Sequence, residues 1–142
     1  MNIVFVCTGN ICRSPMAEGL FKKLLEECGR EDITCSSAGL AAPEGSPASI
    51  NAKIAAQELG VDISEHRSRL LTRAIARDAD MIVCMTQDHY DILNRIIPEE
   101  KLYILGGGID DPYGCDLEVY RACAEKIKNS LPVLLDRIEC KG

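Results

Sequence analysis

A chain of 142 residues, of which 46% are hydrophobic and 27% charged, has the size and composition of one soluble globular domain. No apolar run reaches the roughly 18–20 residues of a membrane helix, and the run at residues 3–6 lacks the length and basic flank of a secretion signal, so we expect a cytoplasmic protein without a membrane partner. The net charge of −6 argues against nucleic acid as a partner, because binding to phosphate backbones depends on clustered lysine and arginine.

The first elements alternate between strand and helix. Residues 3–6 are apolar and largely β-branched, which is typical of a buried parallel strand. Ser14 followed by Pro15 predicts a helix with Ser14 as the N-cap and Pro15 in the first helical position. The apolar face of this helix repeats every four residues, at Met16, Leu20, Leu24 and Cys28. Gly29 is expected to end the helix in the left-handed conformation, and residues 33–38 form a second strand.

The rest of the chain continues this alternation. Strands are predicted at residues 79–85 and 101–105. Helices are predicted where a capping residue precedes a periodic segment. The first of them follows Ser46-Pro47, buries Ile50 and Ile54 and ends at Gly60, and two more follow Thr72, to residue 77, and Thr86, to about residue 97. The last helix follows Asp116 and buries Tyr120, Ala124, Ile127 and Leu131. Pro132 is expected to kink or split the last helix, because it lacks an N–H and clashes one turn back.

This order of elements predicts an α/β fold. We expect a single domain over residues 1–142, with a four-stranded parallel sheet and helices on both faces. Ligands of such sheets bind beyond the carboxyl ends of the strands. The loop after the first strand is therefore the first candidate for a site.

That loop joins a strand directly to the start of a helix. Gly9 permits positive φ and Asn10 tolerates it, so successive backbone N–H groups can turn inward and form an anion-binding nest, to which the helix N-terminus adds partial positive charge. The G-x4-G-K-[ST] pattern of nucleotide-binding loops is absent. The predicted phosphate-binding residues are Thr8, Gly9, Asn10, Ile11, Cys12, Arg13 and Ser14.

Cys7 and Arg13 can turn this phosphate cradle into a catalyst. Cys7, at the end of the strand, can place its sulfur at the centre of the nest, where the N–H groups and Arg13 favour the nucleophilic thiolate. The planar guanidinium of Arg13 can hold two phosphate oxygens at once. C-x5-R alone is a weak pattern, but the preceding strand and the following helix start strengthen it. A non-catalytic anion-binding module is the alternative, although no part of a catalytic set is missing.

The leaving group of phosphoester cleavage needs a proton, and a carboxylic acid near the scissile oxygen supplies it. Asp110 and Asp111 follow the fourth strand in a glycine-rich loop, where Pro112 stiffens the turn. Tyr113 can form a wall of the pocket.

The loop resembles the signature of the low-molecular-weight protein tyrosine phosphatases, C-x-G-N-x-C-R-S-P, which is complete at residues 7–15. Further segments resemble the family in the expected order: Ser36-Ser37-Ala38-Gly39, His66 within residues 64–70, and Asp111-Pro112-Tyr113. The resemblance implies that Cys7 is the nucleophile, that Arg13 binds the phosphate and that Asp111 is the general acid. It also implies supporting hydrogen bonds from Ser14 to the sulfur and from Asn10, Ser37 and His66 within the loop.

The expected reaction is hydrolysis of phosphotyrosine in proteins, and of small aryl phosphates, through a cysteinyl-phosphate intermediate. Phosphorylated proteins are then the partners, with inorganic phosphate or other oxyanions as further ligands of the site. Two related activities are alternatives. Protein-arginine phosphatases of this family tend to carry Thr where this chain has Ile11, a pocket-wall residue that suits an aryl ring better. Thiol-dependent arsenate reductases need further cysteines; Cys84 is in place for the first, but residues 85–114 contain no second.

Cysteine is abundant, with eight in the chain. A disulfide framework is not expected without a secretion signal, and no C-x2-C pair or histidine spacing indicates zinc, so we predict no metal and no cofactor. Most of these thiols are expected to be buried as small apolar groups. Cys12, five residues after Cys7 in a curled loop, is predicted to protect Cys7 from overoxidation by forming a disulfide with it.

Overall fold

The computed structural model describes residues 1–141. Within these residues, four strands alternate with five helices: β1 (Asn2–Cys7), α1 (Arg13–Glu27), β2 (Thr34–Gly39), α2 (Ile50–Glu58), α3 (Arg73–Asp78), β3 (Met81–Cys84), α4 (Gln87–Leu93), β4 (Leu102–Ile104) and α5 (Leu117–Lys141). All strand pairs are parallel, in the order β2-β1-β3-β4. The predicted α/β class and four-stranded parallel sheet are confirmed.

Strand β1 lies between β2 and β3, and this position sets the place of the site. Residues 3–7 are almost completely buried, because both faces of a parallel sheet are covered by helices. At the carboxyl edge Cys7 pairs with Gly39 of β2, and Val6 pairs with Cys84 of β3. The loop after β1 is therefore flanked by the loops that follow both neighbouring strands.

Alternate residues of β1 enter two different cores. Ile3 and Phe5 face α1, α2 and α5, where the rings of Phe5 and Phe21 meet edge to face at 5.5 Å. Val4 and Val6 face the opposite layer, which α3 and α4 cover. The helices thus lie on both sides of the sheet, as the alternation of strand and helix predicts.

Helix α1 begins differently from the prediction. It starts at Arg13, and Cys12 at its N-cap makes no side-chain capping hydrogen bond. Ser14 as N-cap is wrong, because its hydroxyl is used inside the loop by Cys7 and Asn10. The helix end is as predicted, with Gly29 at φ 66°. On the predicted apolar face, Leu24 is only half-buried and Cys28 is exposed.

Helix α2 shows the largest error in the predicted elements. Its N-cap is Ser49, which accepts a hydrogen bond from the N–H of Ala52, rather than Ser46. Ile50 is 72% exposed, and Ile54 is also exposed. The buried face consists of Ala52, Ala55 and Ala56. Small side chains allow α2 to pack against both α1 and α5, so size and not hydrophobicity decides which face is buried.

The remaining caps agree with the prediction. Thr72, Thr86 and Asp116 each accept a hydrogen bond at 3.2 Å from the N–H three residues later. Helix α4 ends at Leu93, earlier than predicted. Of the predicted kink or split at Pro132, the split is wrong, since α5 continues through Pro132 as one helix.

Two further properties concern the chain as a whole. Within the described residues, no helix combines the length and apolar character needed to cross a membrane. All eight cysteines are free, and five of them are buried.

Candidate active site

A cavity of about 310 Å³ opens at the carboxyl edge of the sheet, beside the end of β1. Its lining residues are Cys7, Thr8, Gly9, Ile11, Cys12, Arg13, Pro43, Asp111 and Tyr113. The three predicted catalytic residues and both predicted pocket walls therefore meet in one cavity. Asp111 lines it and Asp110 does not. Pro43 was missed by the sequence analysis.

The loop from Cys7 to Ser14 is held by Asn10, which is fully buried. Its φ of 56° makes it the one non-glycine residue in the left-handed region among residues 1–141. Its side-chain NH₂ donates to Ser14 Oγ at 2.8 Å and to Ser37 Oγ at 3.0 Å. Its side-chain oxygen accepts from the N–H of Arg69 at 3.0 Å, and its backbone carbonyl lies 2.7 Å from His66 Nε2. Every polar group of the Asn10 side chain is thus engaged in fixing the loop.

A second segment supports the loop from the side of β2. The N–H of Leu40 donates to the carbonyl of Cys7, and the N–H of Ala41 to that of Thr8. This approach is close: a Cβ at Gly39 would lie 2.7 Å from the Thr8 carbonyl oxygen. Only glycine fits there without displacing the loop backbone, which explains the glycine that ends β2.

Cys7 lies at the floor of the cavity and is 2% exposed. Its sulfur is 2.9 Å from Ser14 Oγ. Because Ser14 Oγ already accepts a hydrogen bond from Asn10, its own proton is free to point at the sulfur. A hydroxyl that donates to sulfur suits a thiolate, which can only accept.

Arg13 is buried, 3% exposed, and held at two points. One terminal nitrogen donates to the carbonyl of Ile109 at 2.9 Å, and the other lies 3.5 Å from Asp111 Oδ2. Its Nε is buried and has no hydrogen-bond partner among the described residues. An unused guanidinium N–H beside the cavity is the donor that a bound oxyanion would accept from.

Asp111 lies at the mouth of the cavity with its side chain half exposed. Its Oδ1 accepts a hydrogen bond from the N–H of Tyr113 at 3.1 Å, which fixes the turn around Pro112. The carboxylate thus faces both the buried guanidinium and solvent. Tyr113 itself is exposed and flanks the entrance.

Cys12 lines the cavity, and its sulfur also belongs to a small polar cluster. Its sulfur lies 3.4 Å from Ser49 Oγ and 3.3 Å from Tyr120 Oη. Burial raises the pKa of the Cys12 thiol above its ordinary value. Burial likewise raises the pKa of Tyr120 to about 12. Cys12 is therefore a protonated thiol at neutral pH, which donates to Ser49, the N-cap of α2, and is hydrogen-bonded to Tyr120 of α5.

Several residues around the site escape prediction because their partners are distant in sequence. Glu18 accepts from Ser37 Oγ at 2.6 Å, and the guanidinium of Arg69 donates to the Ser37 carbonyl at 2.9 Å. Pro43 lines the cavity from one loop, and the carbonyl of Ile109, in another loop, accepts the hydrogen bond from Arg13. For His89 the sequence does give an indication of a place near the site. His89 lies in the first turn of the helix after Thr86, and this helix starts at the same edge of the sheet as the cavity.

The fold places a buried cysteine and a buried arginine in one cavity at the carboxyl edge of a parallel α/β sheet. Residues 2–142 match the family model for low molecular weight phosphotyrosine protein phosphatases. The chain belongs to this family, and its relatives that are named tyrosine phosphatases are phosphoric monoester hydrolases.

Individual relatives cover nearly the whole chain. A protein-arginine-phosphatase of Geobacillus stearothermophilus is 36% identical, with 96% of this chain and 95% of the relative aligned. The probable low molecular weight protein-tyrosine-phosphatase AmsI of Erwinia amylovora is also 36% identical, with 91% of each chain aligned. The crystal structure of a low molecular weight protein tyrosine phosphatase from T. tengcongensis superposes with a TM-score of 0.90 at 39% identity, covering 96% of this chain and 99% of the other. The comparisons thus show that the chain belongs to this phosphatase family. The names of its relatives differ in the phosphorylated residue, which is arginine in some and tyrosine in others.

Proposed function

We propose that this phosphatase hydrolyses phosphotyrosine in proteins, and small aryl phosphates, through a cysteinyl-phosphate on Cys7. The Cys7 thiolate attacks phosphorus, and the bond from phosphorus to the aryl oxygen breaks as Asp111 gives that oxygen a proton. Asp111 then takes a proton from water, which attacks the cysteinyl-phosphate and releases inorganic phosphate and the Cys7 thiolate. Arg13 holds two phosphate oxygens throughout.

The geometry around Arg13 supports this sequence of steps. Its unpaired, buried Nε and the terminal nitrogen near Asp111 are two neighbouring donors of one planar fork. A phosphate that accepts from both would lie above Cys7 and engage the nitrogen that now faces Asp111. The Asp111 carboxyl would then be free to turn toward the leaving oxygen.

Ile11 in the cavity wall is the observation that carries the choice of substrate. With Pro43 and Tyr113 it gives the cavity apolar walls above the Cys7 sulfur. A phenyl ring fits between such walls and holds its phosphate at the floor. Phosphoserine and phosphothreonine have stems too short to reach the buried sulfur past these walls, so they are expected to be poor substrates.

Phosphoarginine is the second candidate, because a relative of comparable identity is named a protein-arginine-phosphatase. Its guanidinium is polar and would leave an N–H facing Ile11 without a partner. An unpaired buried donor costs about 1–3 kcal/mol. That cost corresponds to about a 5- to 150-fold preference for the aryl substrate.

Replacement of Ile11 in the cavity wall tests whether phosphotyrosine is preferred over phosphoarginine. In the wild type, kcat/KM for a phosphotyrosine peptide should exceed that for a phosphoarginine peptide of the same sequence. In Ile11→Thr the ratio should shift toward phosphoarginine by about tenfold, since the hydroxyl supplies an acceptor. Ile11→Val is the matched control, because it trims the side chain without adding a polar group. A wild type that already prefers phosphoarginine would contradict the proposal.

Arsenate reduction has less support. Cys84, the candidate for a second redox cysteine, is completely buried inside β3. Burial raises the pKa of the Cys84 thiol to about 12, and, unlike Cys12, Cys84 does not line the cavity that holds Cys7. The sequence also has no further cysteine between residues 85 and 114.

Cys12 is proposed to protect Cys7 during oxidation. Hydrogen peroxide converts the Cys7 thiolate to a sulfenic acid, and the Cys12 thiol then displaces water to give a disulfide, which dithiothreitol reduces. Peroxide should inactivate the enzyme reversibly, and mass spectrometry should find a Cys7–Cys12 link. In Cys12→Ser the recovery should fall several-fold as Cys7 proceeds to sulfinic acid. Cys115→Ser, which removes an exposed thiol, is the control. Full recovery in Cys12→Ser would refute the protective role.

A further inference from the structure

His89 is a buried titratable residue that the proposed mechanism does not use. It lies in the first turn of α4, directly after β3, and is 5% exposed. Its Nε2 is 3.0 Å from the hydroxyl oxygen of Thr8, the residue that follows Cys7 in the loop. Its Nδ1 is buried and has no hydrogen-bond partner among residues 1–141. A buried imidazole with one nitrogen unused and the other on a cavity residue calls for a functional explanation.

These contacts select one protonation state of the ring. If the proton were on Nδ1, a buried N–H would have no acceptor, and Thr8 would have to donate its proton to Nε2. With the proton on Nε2, the ring donates to Thr8 Oγ1, and only a lone pair at Nδ1 stays unpaired. Buried donors without partners are the rarer defect in folded proteins. The geometry therefore favours the neutral Nε2–H form.

The charges around His89 act against its protonated form. Burial lowers the pKa of His89 below its ordinary value, and the positive charge of Arg13 lowers it further. Asp88 on the same helix and Asp111 at the cavity mouth oppose this shift with smaller effects. A second N–H on the ring would also be left without an acceptor at Nδ1. His89 is thus neutral at pH 7.

The consequence concerns the hydroxyl of Thr8, which lines the cavity and is solvent-exposed. A threonine hydroxyl has one proton to donate. When the Thr8 hydroxyl oxygen accepts a hydrogen bond from Nε2–H of His89, the Thr8 hydroxyl does not donate to the imidazole. Its proton is then free to point toward a ligand in the cavity. Phosphate oxygens are strong acceptors at that place.

We propose that His89 is a positioning residue that orients the Thr8 hydroxyl as an additional side-chain donor to the phosphate group of the substrate. The donor adds to the backbone N–H groups of the loop and to Arg13. The inference rests on the proposed phosphate site, but it does not depend on whether the ester is phosphotyrosine or phosphoarginine.

Nitrogen NMR of the wild-type protein tests the protonation state without any substrate. The chain has two histidines, His66 and His89, so long-range ¹H–¹⁵N correlations give two imidazole patterns, which a His66→Asn sample assigns. We expect His89 at pH 7 to carry its proton on Nε2, with a titration midpoint below the ordinary value of about 6.5. A proton on Nδ1, or a midpoint at or above that value, would overturn the proposal even if the enzyme is a phosphotyrosine phosphatase.

Phosphate affinity tests the role of the pair. The measurement is the inhibition constant of inorganic phosphate against an aryl phosphate substrate. Thr8→Val should weaken phosphate binding by about tenfold, the effect of one hydrogen bond to a charged acceptor. Thr8→Ser, which keeps the hydroxyl, should bind phosphate nearly as well as the wild type.

Variants of His89 distinguish positioning from simple packing. His89→Leu should lose about as much phosphate affinity as Thr8→Val, and the double variant should lose no more than either single one, because both remove the same contact. His89→Gln, which can place an N–H near the position of Nε2, should restore most of the affinity. Multiplied losses in the double variant, or His89→Gln as weak as His89→Leu, would overturn the proposal. If His89→Leu does not fold, the Thr8 variants and the NMR data still decide.

Discussion

Cys7→Ser is expected to lower kcat by on the order of 10⁶-fold, the loss typical of removing the nucleophile in covalent catalysis. The serine hydroxyl would take the place of the Cys7 sulfur, which lies 2.9 Å from Ser14 Oγ, but a protonated hydroxyl does not attack phosphorus as a thiolate does. Steady-state hydrolysis of an aryl phosphate measures the loss. Binding of inorganic phosphate should stay measurable, because the loop N–H groups and Arg13 are unchanged.

The control for this variant is Cys28→Ser, which makes the same chemical change at an exposed thiol at the far end of α1. It should keep wild-type activity. Appreciable turnover in Cys7→Ser would contradict the cysteinyl-phosphate mechanism. A loss of both turnover and phosphate binding would indicate instead that the loop had collapsed.

The sequence predicts the parts of the fold that depend on local pattern. The run that forms β1, the glycine that ends α1, and the caps at Thr72, Thr86 and Asp116 all appear as expected. Each depends on backbone conformations and hydrogen bonds within a few residues, which side-chain type controls directly. The loop after β1 is predictable for the same reason.

Features that depend on packing between distant segments could not be predicted. Ser14 follows the capping pattern, yet its hydroxyl is taken up by Asn10 and Cys7 of the loop. In α2 the isoleucines are the more hydrophobic residues, but the alanines are buried because α1 and α5 leave little room. The local sequence pattern does not show which groups compete for the Ser14 hydroxyl, nor how much space α1 and α5 leave for the side chains of α2.

The supporting residues of the candidate site show the same limit. His66 and Ser37 were inferred only through resemblance to a family, and both contact Asn10. The contact of His89 with Thr8 spans 81 positions in the chain. It arises because β1 and β3 are neighbours in the sheet, so the loops after both strands meet. Sheet order, which the alternation of elements leaves open, is what brings such side chains together.

Asp111→Asn is expected to separate substrates by their leaving groups. A poor leaving group such as the tyrosine phenolate needs a proton as its bond to phosphorus breaks, so its kcat/KM should fall by about 10²–10⁴-fold. A nitrophenolate leaves without protonation, and its kcat/KM should change little. The comparison uses kcat/KM because this quantity reports the transfer of phosphate to Cys7. The later hydrolysis of the cysteinyl-phosphate also loses its base, and should appear as a burst of nitrophenolate followed by slow turnover.

Asp110→Asn is the matched control, since Asp110 carries the same carboxyl one residue earlier but does not line the cavity. It should leave both substrates nearly unaffected. Asp111→Asn also removes the ion pair with Arg13; because Asp111 is half exposed, this contact is worth only about 0–1 kcal/mol of stability. The inhibition constant of inorganic phosphate shows whether Arg13 keeps its place. Equal slowing of both substrates with unchanged phosphate binding, or a larger loss in Asp110→Asn, would assign the acid to another residue.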